Sequence, residues 1–243
     1  MISRDERPIS AVPRVVVAAL VVTLAAQIIW QSAQPKPVAR AEALDAPPPI
    51  SALRIASLGE PVPLAQLTTL YLQAFDNQPG ISIPFRELDY TRVIEWLNSI
   101  LALDPIGQYP LLMAAHLYGQ VPDAARERLM FDFVHTQFLR DPNLRWRWLA
   151  NAALACKHRL KDLPLALQYA REIARLAPAA PAWARQMQII LLEDMGEVES
   201  AKILIGGLLD SGGIKDKYEL RFLMDRLEEL EKKAEKSSSP SKN

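Results

Sequence analysis

Residues 90–105 read YTRVIEWLNSILALDP, and two later stretches close in a related way: AARERLMFDFVHTQFLRDP at 124–142 and LPLALQYAREIARLAP at 163–178. Each carries apolar residues at helical spacing and ends on a proline. Pro105, Pro142 and Pro178 lie 37 and 36 residues apart. A proline cannot continue a helix, and it pushes the residue before it out of the helical region. Between successive prolines there is room for two helices and two short turns. The spacing therefore predicts helix-turn-helix units repeated along the chain. From Leu64 onward nothing alternates for long as a strand would. Asn77 to Pro84 (NQPGISIP) has some strand flavour, but it is short and bounded by prolines, and reads as a loop.

The pattern pairs Leu64–Phe75 with Phe85–Leu103, Tyr109–Gly119 with Asp123–Leu139, Leu144–Leu160 with Pro164–Leu176, and Ala182–Met195 with Val198–Leu209. A last, charge-rich helix from Lys215 to Lys236 carries Leu220, Leu223, Leu227 and Leu230 as one apolar stripe. It reads as a cap on the end of a stack, with a coiled-coil dimerisation helix as the competing reading.

These residues resemble the tetratricopeptide family. Asp162 to Pro178 looks like the second helix of such a repeat, with Ala166 at the small position and Pro178 at the terminal one. Tyr90, Val93, Ile100 and Pro105 match the same frame, as do Gly196 and Ala201. The period exceeds the family's usual 34 residues, and Met130 stands where the middle unit needs a small residue. The resemblance covers Leu64 to Leu230 and extends to uncharacterised membrane-anchored repeat proteins of proteobacteria. It implies an all-α, tetratricopeptide-like solenoid of about four hairpins that binds a protein or peptide partner.

The N-terminal third is different. Eleven of the 19 prolines precede residue 85. Val15 to Trp30 (VVVAALVVTLAAQIIW) has no charge, and Trp30 ends it where an aromatic suits a membrane interface. A cleaved signal peptide would need a small-x-small site; Ala39-Arg40-Ala41 lies too far away and Gln31-Ser32-Ala33 begins poorly. A buried core helix would have to pack across a Pro-rich linker. An uncleaved single-pass anchor fits best. Arg4, Arg7 and Arg14 before the span, against Lys36 and Arg40 after it, place the N-terminus in the cytoplasm. In a bacterial inner membrane the body would then be periplasmic. The expected organisation is a cytoplasmic N-terminus (1–14), anchor (15–33), Pro-rich linker (34–63), repeat domain (64–236) and disordered tail (237–243).

Composition excludes more than it assigns. Lys plus Arg and Asp plus Glu are 28 each, so no global charge favours nucleic acid. A single cysteine rules out an internal disulfide and the usual Cys-based zinc sites. His116, His135 and His158 stand in different predicted helices, without a His-Glu-x-x-His pair, so no metal is expected. Cys156 and His158 are two residues apart on a helix and do not face each other, which leaves Cys156 as a small buried hydrophobe. No phosphate-binding glycine loop or Gly-x-Ser-x-Gly elbow occurs. No cofactor is expected, and the pattern argues against an enzyme.

Leu144-Arg145-Trp146-Arg147-Trp148 mixes cations with aromatics, and one helical stripe cannot bury both tryptophans. Candidate partner contacts on the first helices of the hairpins are Arg145, Trp146, Arg147, Lys157, Arg185 and Gln188. The expectation is a membrane-tethered interaction scaffold or chaperone-like receptor in the bacterial envelope. The alternative is a structural subunit of a larger envelope complex.

Overall fold

The computed structural model describes residues 12–34 and 41–238, with side chains to residue 233. Two compact units emerge, residues 1–41 with 79–81, and residues 42–78 with 82–243. The expected N-terminal segment before residue 12 and tail from residue 239 lie outside the described residues.

In the first unit, Arg14–Ala33 forms α1. It is the one helix among the described residues long and apolar enough to cross a membrane, with a mean hydropathy of 2.0 and no buried residue. Twenty residues at 1.5 Å span about 30 Å, the hydrocarbon thickness of a bilayer. Its two hydroxyl side chains are satisfied locally. The Thr23 hydroxyl donates to Ala19 O at 2.9 Å and that of Ser32 to Ile29 O at 2.8 Å.

The second unit is helical: α2 (Ile50–Ala56), α3 (Pro61–Ala74), α4 (Tyr90–Leu103), α5 (Tyr109–His116), α6 (Ala124–Arg140), α7 (Pro142–Ala155), α8 (Leu163–Leu176), α9 (Ala182–Arg185), α10 (Met187–Asp194), α11 (Val198–Asp210) and α12 (Lys217–Ser238). The stretch expected as a loop at 77–84 holds two short strands, β1 (Asn77–Gln78) and β2 (Ile81–Ser82), which form a two-stranded sheet. Helix α3 packs on α4, α5 on α6, α7 on α8 and α10 on α11, and each of these pairs was expected. Further contacts join α4 to α6, α5 to α7, α8 to α10 and α11 to α12.

Local chemistry explains the helix boundaries. Asp89, Asp123 and Asp162 start α4, α6 and α8, each carboxylate accepting from the first-turn amides. The same helices end on Asp104, Asp141 and Ala177, whose backbones share one geometry (φ −130°, −151° and −117°; ψ 84°, 82° and 71°). Each stands before a proline, which disfavours helical ψ. Pro142 differs from the expectation: it opens α7 as well as closing the turn, because Asp141 also accepts from Leu144 N at 3.1 Å and caps the new helix.

Several expected helices are shorter. The Phe85 start becomes a 3₁₀ turn, and α4 begins after the Asp89 cap. Helix α5 stops at His116, where the chain folds into a 3₁₀ turn at Tyr118–Gln120. There a Cβ on Gly119 would stand 2.5 Å from Ala114 O, so only glycine fits. Helix α7 gives way at Cys156–Leu160 to a wider π turn that closes on Lys161 at φ +56°. The expected helix at Ala182–Met195 breaks at Gln186, which is buried and donates Nε2 to Glu219 Oε1 at 2.7 Å.

The core is lined by α4 and α8 on one stripe each: Tyr90, Val93, Leu97 and Ile100, then Ala166, Tyr169, Ala170 and Ile173. Polar links between helices recur at similar sequence separations. Tyr109–Gln73 spans 36 residues, Gln137–Asn98 39, Trp148–Gln108 40, Tyr169–Asp132 37 and Arg226–Glu193 33. Among the described residues no side-chain hydrogen bond spans more than the 51 residues between Trp96 and Asp45.

That last bond marks the main departure from the sequence reading. The Pro-rich stretch from residue 42 to 63 is not a free spacer. Leu44 and Leu53 are buried, Trp96 Nε1 donates to Asp45 O at 2.8 Å, and Gln78 exchanges two hydrogen bonds with the Glu42 backbone. Residues 42–49, with Pro47, Pro48 and Pro49, form a strap without helix from which Leu44 reaches the core, and Leu53 reaches it from α2. Residues 35–40 of the expected linker lie outside the described residues.

Two predictions follow from these contacts. Trp96→Phe removes one neutral hydrogen bond, costing about 1 kcal/mol. Limited proteolysis should then cut within residues 42–60 faster than in the parent, while the body stays resistant. The Asp162 carboxyl lies below its ordinary value, chiefly because Leu165 N–H donates to it and also because Arg128 pairs with it, against the opposing effect of burial. A depressed carboxylate stabilises the fold above its unfolded pKa of about 4 and loses that contribution as pH falls through the folded value. The gap in urea midpoint between the parent and Asp162→Asn should be constant from neutrality to about pH 4 and should close below it.

Candidate partner-binding surface

The six residues singled out in the sequence do not share one environment. Arg145 is buried: its Nη1 donates to Gln137 O at 2.9 Å and Oε1 at 2.8 Å, and its Nη2 donates to Pro105 O at 2.8 Å. It ties the corner after α4 to the end of α6 and offers nothing to a partner. Gln188 is also buried, with Nε2 on Arg185 O at 3.3 Å. Both were expected at the surface, and the α7 and α10 faces they occupy point into the core.

The other four reach solvent to different degrees. Lys157 pairs with Asp194 at 2.5 Å, and Arg185 lies 3.7 Å from Glu219 while its Nε donates to Ala180 O. These charges are largely used within the body. Trp146 and Arg147 are not. Trp146 is half-buried, Arg147 is exposed, and the guanidinium sits 5.8 Å from the centre of the Trp146 ring. Trp183 on α9, a residue the sequence reading did not single out, meets Trp146 edge-on at 5.6 Å and is 57% exposed. Trp148, two residues further along α7, is buried and donates Nε1 to Gln108 Oε1 at 2.7 Å. One tryptophan of the pair turns inward and the other outward, as the helical angle requires.

Further exposed positions lie on the first helices of the pairs. Tyr109, Leu112 and His116 are exposed on α5, Arg147 and Leu154 on α7, and Ile190 on α10. Aromatic edges join neighbours: the His116 ring lies 6.2 Å from Trp148. The mixture of Trp, Tyr, Arg and aliphatic side chains is that of protein-recognition surfaces.

The groups with chemical potential are dispersed. His116 contacts Gln120 and Trp148, His135 pairs with Glu172 at 2.5 Å beside Tyr169, and His158 is exposed on the π turn. Cys156 is fully buried, and desolvation pushes its thiol up to about 12. At neutral pH it is protonated and a poor nucleophile. Among the described residues no group of three His, Cys, Asp or Glu side chains is placed to hold a metal.

Two clefts flank α3. One, of about 430 Å³, is lined by Gln66, Thr69, Leu70, Gln73, Gln108 and Tyr109 among others; the second, of about 250 Å³, lies between Pro48, Leu53, Leu67, Tyr71 and Trp96.

No family model, curated protein or solved structure matches this chain.

The two neighbouring arginines give a sharp comparison. Arg145→Ala strands the Gln137 and Pro105 acceptors and should cost about 2–3 kcal/mol in urea unfolding. Arg147→Ala should change stability by less than about 0.5 kcal/mol, as an exposed substitution does.

Proposed function

We propose that this chain is a membrane-tethered scaffold that holds a protein or peptide partner. In this reading α1 crosses the cytoplasmic membrane and the helical body lies on its far side. The pairs α3–α4, α5–α6, α7–α8 and α10–α11 stack as a tetratricopeptide-like solenoid, closed by α12.

One observation carries the stacking: polar links between helices recur at separations of 33 to 40 residues, close to the 36 and 37 residues between the corner prolines. A chain in which each unit touches its neighbours produces this pattern. The shared corner geometry at Asp104, Asp141 and Ala177 and the recurring aspartate caps support it. Helix α12 supports the capping role. Leu223 and Leu230 are fully buried, and Arg226 clamps Glu193 of α10 through two bonds of 2.7 and 2.5 Å, while the opposite face carries charge.

The binding role rests on Trp146, Arg147 and Trp183. Aromatic and arginine side chains left partly exposed side by side fit a contact centre. The partner is expected to bring an apolar or aromatic segment with a carboxylate for Arg147.

The test is site-specific photo-crosslinking in native membranes. A photoreactive residue at position 183 should yield one discrete adduct, and Arg147→Glu should abolish it without changing the amount of membrane-bound chain. An adduct pattern identical to that from a probe at Leu139, on the second helix of its pair, would refute the assignment.

A further inference from the structure

The first long helix of the body has the wrong surface for water. Helix α3, PVPLAQLTTLYLQA, contains no charged residue. Its buried side is Ala65, Thr68, Thr69 and Leu72, and the two threonine hydroxyls are satisfied by the helix's own carbonyls, Leu64 O and Ala65 O, at 2.7 Å. The side directly opposite is also apolar: Pro63, Leu67, Leu70 and Ala74 follow one another at spacings of four, three and four and all are exposed. Leu67 and Leu70 are 63% and 60% exposed. Gln66 and Gln73 make one flank polar, so α3 carries two apolar sides of which the packed body covers one.

The turn that leads into α3 adds to this side. Leu58 is 91% exposed and takes a left-handed backbone at φ +50°, a conformation that leucine rarely adopts. Ile55 before it and Val62 after it are exposed as well. The turn is closed by backbone hydrogen bonds, Leu58 N–H to Ile55 O at 3.1 Å and Glu60 N–H to Ser57 O at 2.8 Å, which leave the leucine side chain outside. The far end of the body is treated differently, since α12 is rich in Lys, Arg, Asp and Glu.

We propose that the turn at Leu58 and the outer side of α3 rest in the interfacial layer of the bilayer that α1 spans. The inference depends on α1 being a membrane anchor. Only residues 34–41 separate α1 from the first residue of the body. Fully extended, that leash reaches about 30 Å. The segments nearest it along the chain are the strap, α2 and α3. A surface carrying exposed leucines, with Tyr71 at its edge and its charges confined to Arg54 and Glu60 beside the turn, matches the headgroup boundary, where apolar side chains enter by about 5–10 Å. A protein partner would more often be met by the aromatic and arginine mixture found on α7 and α9.

The experiment uses the full chain in lipid nanodiscs, with a single environment-sensitive fluorophore on a cysteine introduced in turn at Val21, Leu58, Leu67, Leu70 or Ile203. Cys156 is buried and stays unlabelled. Lipids brominated near the headgroup end of the acyl chain should quench probes at 58, 67 and 70 severalfold more than the probe at 203, on exposed α11. Leu58→Glu with Leu67→Glu should remove quenching at 70 while leaving it at 21. Probes at 58, 67 and 70 quenched no more than that at 203, with position 21 still quenched, would overturn this inference alone. Loss of quenching at 21 would overturn the anchor itself, and this inference with it. Pyrene excimer emission from position 70 in place of lipid quenching would assign the side to a second copy of the chain and equally overturn it.

Discussion

Close approach of helices in the middle of the body sets the geometry of everything around it. Helix α7 buries Ala150, Ala152 and Ala153, and α8 meets it with Ala166 and Ala170. The two helices pack on each other, and small buried side chains allow helices to approach closely. Large side chains are thereby forced to the margins. Trp148 packs toward α5, Tyr169 toward α6, and Trp146 is left at the surface against Trp183. The candidate binding surface follows from where the alanines are not.

Buried polar groups add register to this packing. Arg145 holds a corner carbonyl and a glutamine from two other helices, and Arg159 meets the buried Glu127 and Val121 O. Removing one partner from such a set costs more than the set contributes, because the remaining groups stay desolvated. These contacts therefore fix which helix lies against which. Surface pairs such as Lys232–Glu228 do not.

The helical pairs were legible because their signals are local. Capping aspartates, corner prolines and the stripe on α8 need no knowledge of the rest of the chain. The long apolar helix α1 was legible for the same reason. Arg145 was misread because a run of alternating cations and tryptophans looks like a surface feature, and nothing nearby announces that Pro105, 40 residues earlier, will supply its acceptor. The strap was misread because prolines suggest a spacer, whereas its docking rests on Trp96, 51 residues later. Trp183 escaped notice because it stands alone in its own helix and gains meaning only beside Trp146.

The short reach of the links between helices bears on how this chain is made. Each helix packs mainly on helices close to it in sequence, so little loop entropy is lost before contacts form, and folding of this kind is fast. Synthesis proceeds from α1 toward α12. The hairpins can therefore assemble in order as they emerge, each building on the one before. The last charged helix then closes an end that would otherwise stay sticky, and nascent chains spend little time with apolar faces open to aggregation.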